Sequence, residues 1–265
     1  IRYRQPLEKA TLYKKEDGMA KVRFNRPEAR NALDLIMREE LEWILSDLRY
    51  DNDVRVVVLT GEGKSFCAGG DIKTMGGRES IIGGLERETK IMRIFRNLAY
   101  LEKPVIAGVD GAATGAGLSL VLACDIVIAS ERAIFGAPFT RVGLVPDTGT
   151  TYFLPRVVGL AKAREMIVTG DLIDANEAYR IGLISKIVAH EELEDKVNSL
   201  AQRLSKAATK AIGMAKINLL KALDTDLRSV NIFESYGNAL LFKSEDHKEG
   251  VDAFLNKRET RFKAE

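Results

Sequence analysis

The sequence predicts an α/β core over residues 1–195, closed by a helical C-terminal part over residues 196–265. Three observations carry this reading. Short apolar, β-branched runs alternate with longer stretches of helical periodicity in the first part of the chain. Two loops rich in glycine and alanine each follow one of those apolar runs. Beyond about residue 200 strand signals fade, and the remaining patterns are amphipathic helices.

Taken in order, residues 20–24 form a short strand. Leu33, Met37, Leu41, Ile44 and Leu48 then recur at helical spacing as far as Arg49, with Asp34 placed near the start as a cap. Residues 54–60 (Val-Arg-Val-Val-Val-Leu-Thr) have the composition of a strand buried on both faces. A second helix is expected over residues 79–100 and a second buried strand over 105–109. A helix of small residues over 115–123 leads into a strand over 126–129. Residues 152–158, 206–223, 227–242 and 247–256 read as helices. No fixed-period repeat or low-complexity tract interrupts them. A late helical tail on such a core closes a site or builds an oligomer.

Bulk composition narrows the function. The 40 basic and 38 acidic residues leave a net charge of +2, so no broad basic face awaits nucleic acid or a membrane. An anionic ligand must be met by a local group of lysines and arginines. Two cysteines, Cys67 and Cys124, do not make a disulfide framework, and a reducing cytoplasm is expected. No apolar run reaches the ~20 residues of a membrane span. The start, Ile1-Arg2-Tyr3-Arg4, lacks the apolar core of a signal peptide.

The chemistry must then reside in the loops. Phe66-Cys67-Ala68-Gly69-Gly70-Asp71-Ile72-Lys73 and Asp110-Gly111-Ala112-Ala113-Thr114-Gly115-Ala116-Gly117 follow strands that are expected to be parallel neighbours, so both converge on one crevice. Their small residues admit either tight-turn packing or close approach of backbone N–H groups to a ligand, including an oxyanion. Leu120 stands where a dinucleotide fingerprint would need its third glycine. His190 and His247 lie in polar helical surroundings away from the loops and read as solvated or capping, so no nucleophile–histidine pair is expected. Metal-ligand spacing is absent. Among the carboxylates, Asp71 reads as a helix start and Asp125 as a strand-edge residue. Asp147, in Leu144-Val145-Pro146-Asp147-Thr148-Gly149, has two readings: a helix N-cap, or a proton-transfer group in a partly apolar loop.

In combination these segments resemble the crotonase (enoyl-CoA hydratase/isomerase) superfamily. The resemblance rests on Asn25-Arg26-Pro27-Glu28-Ala29-Arg30-Asn31-Ala32-Leu33, residues 61–75, and Lys103-Pro104-Val105-Ile106-Ala107 with the second glycine loop. It continues through Ala123-Cys124-Asp125-Ile126, Phe135-Gly136-Ala137-Pro138, residues 143–159, Ile167-Val168-Thr169-Gly170, Ala175-Asn176-Glu177-Ala178 and Glu249-Gly250-Val251-Asp252-Ala253-Phe254. It implies a spiral of ββα units with C-terminal helices that build trimers or hexamers. It also implies an acyl-CoA substrate, coenzyme A being part of the substrate and no further cofactor needed. Carried over by position, the backbone N–H groups of Gly70 and Ala116 hold a thioester enolate. Arg30, Ala68, Asp71, Ile72 and Lys73 surround coenzyme A, with Phe254 and Lys257 arriving from a late helix, this chain's or a neighbour's.

One departure bears on the reaction. Hydratases in this superfamily use two glutamates, at positions occupied here by Ser119 and Phe139, both expected beside the substrate. Asp147 instead matches an acidic position kept by several branches, and its local string is similar to that of the phenylacetate-pathway isomerases. The resemblance therefore implies a double-bond or ring isomerase with one catalytic carboxylate. Its rivals are a hydratase, a hydrolase or dehalogenase with Asp147 as nucleophile, and a non-catalytic acyl-CoA-binding subunit. Residues 76–84 and the last helices are expected to select the acyl group.

Overall fold

The computed structural model describes residues 10–74 and 80–265. It opens on an antiparallel hairpin of β1 (Thr11–Glu16) and β2 (Met19–Phe24). The Asp17-Gly18 turn between them has both φ angles positive, the geometry that matches the twist of a two-residue hairpin. Then comes α1 (Leu35–Tyr50), which begins where the sequence places its cap: the Asp34 carboxylate accepts the Met37 N–H at 2.8 Å. The helix buries Met37, Leu41, Ile44, Leu45 and Leu48.

Three ββα units follow. The first is β3 (Val56–Gly61), β4 (Ser65–Cys67) and α2 (Ile81–Ala99). The second is β5 (Val105–Val109), β6 (Ala112–Thr114) and α3 (Ala116–Leu122). In the third, β7 (Ile126–Ser130) and β8 (Ile134–Gly136) lead through a 3-10 turn at Pro138–Val142 into α4 (Thr150–Val158) and α5 (Leu160–Thr169). The core ends with β9 (Leu172–Asp174), α6 (Ala175–Arg180) and β10 (Lys186–Val188). Each unit sends its first strand to a six-stranded sheet of order β1-β2-β3-β5-β7-β10. Its second strand joins a four-stranded sheet of order β4-β6-β8-β9. Beyond the β1–β2 hairpin and the β8–β9 pair, the described strands run parallel, which requires the helical crossovers. This is the expected spiral.

The strand at residues 56–61 is buried on both faces, as its composition requires. Val57 and Leu59 belong to the main core, while Val56 and Val58 pack with Ile106 and Ile128. That second face is covered by Val197 and Ala201 of α7 (Leu193–Ser205). The chain closes with α8 (Thr209–Ala222), α9 (Leu227–Leu241) and α10 (Glu245–Leu255). No helix among the described residues is long and apolar enough to cross a membrane.

Several expectations need correction. A three-residue strand, β4, runs into the first glycine loop and another, β6, lies within the second, and these pair with each other in the smaller sheet. The helix expected from residue 206 starts at Thr209. Ile1 to Arg4 and residues 76–79, which include the expected start of the second helix, lie outside the described residues.

Candidate active site

The two loops meet backbone to backbone. A Cβ on Gly69, where φ is +106°, would lie 3.0 Å from Thr114 O and 3.6 Å from Ala116 N. A Cβ on Gly117 would fall 2.0 Å from Cys67 O, so only glycine lets α3 sit on the first loop. Leu33 N–H donates to Gly69 O at 2.8 Å and Asp71 N–H to Leu33 O at 3.1 Å, bonds that pass over the Gly70 N–H. Ala116 is the first residue of α3, where an N–H has no partner within the helix. Gly70 and Ala116 both line one cavity of about 560 Å³.

The same cavity is lined by Ala68, Ile72, Phe139 and Asp147. The structure does not bear out the N-cap reading of Asp147. The N-cap of α4 is Gly149, no side chain caps that helix, and Asp147 contributes only its backbone oxygen to Thr150 N–H at 2.9 Å. Its carboxylate accepts from the Thr148 hydroxyl at 3.1 Å. Burial raises the Asp147 carboxyl above its ordinary range, the Thr148 bond opposes this, the Glu88 charge raises it further, and Arg38 lowers it.

Glu88 and Arg38 were not candidates from the sequence, yet both line the cavity. Gly84, Arg87, Glu88 and Ile91 recur at i, i+3, i+4 and i+7 on α2, so a cavity-facing stripe was present in the pattern. Nothing in the sequence said what that stripe faces. Burial lowers the Arg38 guanidinium, and its Nε has no hydrogen-bond partner among the described residues.

Other predicted residues fall elsewhere. Ser119 does not line the cavity: it is fully buried behind the wall, 2.6 Å from the hydroxyls of both Thr148 and Thr150. Asp71 receives Arg26 Nη2 at 3.1 Å and Lys73 N–H at 3.1 Å, so it fastens the loop. Arg30 and Ala68 are joined through Ala68 N–H and Arg30 O at 3.0 Å, while the Arg30 and Lys73 side chains are exposed. Phe254, 83% exposed, lines a separate groove among α8, α9 and α10, and Lys257 follows it. Within one chain neither lines the cavity. His190 is not remote from the second loop: its Nδ1 is 3.3 Å from Asp110 Oδ2, in a pocket that shares no lining residue with the cavity. His247 N–H, as expected near a helix start, donates to the Ser244 cap at 3.0 Å.

The first motif turns out to be a staple. Arg26 donates to Ala32 O at 2.6 Å and pairs with Asp34 at 3.1 Å. The fully buried Asn31 amide donates to Ser65 O at 2.7 Å and Glu62 O at 2.9 Å. Together they hold α1 and β4 around the first loop. A preorganised pair of backbone donors beside a carboxylate can stabilise an oxyanion and move a proton.

Comparison with known proteins identifies the family. Residues 14–265 match the family described as Enoyl-CoA hydratase/isomerase. The short-chain-enoyl-CoA hydratase of Clostridium acetobutylicum is 38% identical over 250 residues, covering 93% of this chain and 95% of that protein. The 1,2-epoxyphenylacetyl-CoA isomerase of Escherichia coli is 36% identical, covering 93% and 95%. The crystal structure of an enoyl-CoA hydratase from Bacillus anthracis superposes with a TM-score of 0.92 at 33% identity, covering 97% of this chain and 100% of that one. With its ββα spiral and its paired glycine loops, the chain belongs to the enoyl-CoA hydratase/isomerase family and has the crotonase fold.

Proposed function

We propose that the chain is an enoyl-CoA isomerase in which Asp147 carries a proton between two carbons of the acyl group. The observation that supports this most is the sharing of one cavity by the Gly70 and Ala116 loops and the Asp147 carboxylate. A thioester α-proton is too weakly acidic for a carboxylate unless the oxygen that gains charge is held. Two N–H groups at Gly70 and Ala116 would hold it. Ionised Asp147 takes the proton, keeps it while the dienolate redistributes its electrons, and returns it at the far end of the conjugated system. Burial favours the role, because a raised pKa brings a carboxylate closer to the basicity that the transfer needs. Exposed Arg30, bonded through its backbone to the lining residue Ala68, and exposed Lys73, between the lining residues Ile72 and Thr74, would suit the phosphates of coenzyme A, which enters as part of the substrate.

A second reading, hydration, is favoured by Glu88. Water addition needs a base for the water and an acid for the carbon. Buried Ser119 and Phe139 supply neither, but Glu88 and Asp147 put two carboxylates into one cavity. The two readings separate in H2(18)O. With trans-3-hexenoyl-CoA, isomerisation yields the conjugated 2-enoyl product without heavy oxygen. A main product from crotonyl-CoA that carries heavy oxygen in its acyl chain would select hydration.

Assembly belongs to the same reading. Leu227, Tyr236 and Leu240 of α9 and Phe254 and Leu255 of α10 are exposed, more apolar surface than a solvated helix pair tolerates. Further copies of this chain would cover it as a trimer or hexamer, bringing a neighbour's Phe254 and Lys257 toward the coenzyme A rim. Sedimentation at micromolar concentration should show the oligomer, and a monomer would refute it.

A further inference from the structure

Behind the cavity wall lies a hydroxyl cluster that the proton transfer described above does not use. Thr148 Oγ1 is 2.6 Å from Ser119 Oγ, which is 2.6 Å from Thr150 Oγ1. All three residues are at most 1% exposed. Thr148 Oγ1 is also 3.1 Å from Asp147 Oδ1. A threonine hydroxyl carries one hydrogen, so it serves Ser119 or Asp147 and never both fully.

The backbone around Thr148 is arranged to keep this hydroxyl in place. Its φ is +52°, a left-handed conformation that a β-branched residue adopts only when its surroundings impose it. Ser119 sits in the first turn of α3, the helix that begins with Ala116, and its N–H is bonded to Gly115 O at 3.1 Å. The cluster therefore ties the helix of one oxyanion donor to the loop of the proton carrier. It also explains what a serine does where hydratases of this family keep a glutamate.

We propose that Thr148 is a two-position hydrogen-bond donor whose hydroxyl turns to Asp147 when that carboxylate is ionised and to Ser119 when Asp147 holds the proton. This rests on the reading of Asp147 as the proton carrier. An ionised carboxylate is an acceptor only and outcompetes a neutral serine oxygen, whereas a protonated one does not. Thr148 and Ser119 are positioning residues, acting through Asp147. Arg38 on α1 and Glu88 on α2, both on the cavity wall, bear on the same carboxylate, Arg87 on α2 lines the same cavity, and the side-chain hydrogen bond that favours the charge of Asp147 comes from Thr148.

The proposal gives opposite signs for two substitutions. Ser119→Ala removes the alternate acceptor and leaves the hydroxyl on Asp147, favouring the ionised form. Thr148→Val keeps the shape but removes the donor, favouring the protonated form. Infrared titration of the full-length protein, subtracting Asp147→Asn to isolate the Asp147 carboxyl band, reads the midpoint without substrate. The expected midpoints fall in Ser119→Ala and rise in Thr148→Val, each by roughly half a pH unit, the worth of a neutral hydrogen bond. Thr148→Ser should restore the wild-type midpoint. The pH profile of kcat/KM with trans-3-hexenoyl-CoA should shift in the same directions. Midpoints that stay put, or that move the same way in both variants, would overturn the two-position donor. The role of Asp147 itself is decided separately, by turnover of Asp147→Asn.

Discussion

Two carboxylates in this protein are both pushed up by burial, yet their surroundings differ. Asp125, between α3 and β7, accepts Val105 N–H at 2.7 Å and Lys216 Nζ at 2.7 Å, and Lys216 also donates to Lys103 O at 3.0 Å. Among the described residues Asp147 accepts one side-chain hydroxyl, at 3.1 Å, and it faces a cavity. Burial and a raised pKa therefore do not by themselves mark a working group. The difference lies in what remains available. Asp125 has its Oδ2 held by a backbone donor and a lysine and joins β5, β7 and α8, whereas Asp147 has one side-chain donor among the described residues, beside an open volume.

The largest effect should come from Asp147→Asn. Asparagine keeps the shape but cannot exchange a proton, so turnover should fall by ~10²- to 10⁴-fold while acyl-CoA binding, read by calorimetry, stays nearly constant. Stability should hold or rise slightly at neutral pH. The sign follows from the raised pKa: such a carboxyl favours the fold below its unfolded pKa, and that contribution is lost as pH rises through the folded value. Thermal unfolding checks this, and a large loss of stability would give Asp147 the role of Asp125.

Lys216→Met should behave in the opposite way. Lys216 is 8% and Asp125 28% exposed at the side chain, so breaking the pair leaves a partly buried charge alone. The expected loss is about 2–4 kcal/mol by chemical denaturation, somewhat below that for a fully buried pair, with kcat of the folded protein unchanged. A loss under ~0.5 kcal/mol would reduce the pair to a surface contact.

The smallest effect belongs to Glu88→Gln. The acid limb of kcat/KM should lie above the ordinary aspartate range of about 3.9. Neutralising Glu88 removes a charge that opposes ionisation of Asp147, so the limb should move to lower pH by a few tenths of a unit. A shift to higher pH would contradict that coupling. Loss of all activity would instead make Glu88 indispensable and favour hydration.

What the sequence disclosed follows physical range. The strands at residues 56–61, 105–109 and 126–130, and the Asp34 cap, depend on composition and neighbours a few residues away, and all were legible. The smaller sheet was not, because strands such as Ser65–Cys67 and Ala112–Thr114 are too short to display a period. Ser119 was placed beside the substrate because its chain position matched a glutamate. Its partners, Thr148 and Thr150, are 29 and 31 residues away, and only the folded loop turns it inward. Arg26 and Asn31 stood inside a recognised motif, but their staple needs β4 and the first loop already in place. Arg38 and Glu88 lay on correctly expected helices whose facing surfaces local pattern could not assign.

The central claim is that one carboxylate carries one proton from carbon to carbon. Its most direct test uses trans-3-hexenoyl-CoA deuterated at C2, converted in ordinary water under single-turnover conditions, with the product read by mass spectrometry and NMR. Transfer by Asp147 predicts 2-enoyl product with deuterium delivered to C4, and none formed by Asp147→Asn. Product whose C4 has gained its new hydrogen only from solvent would contradict a single carrier and require separate groups for removal and return.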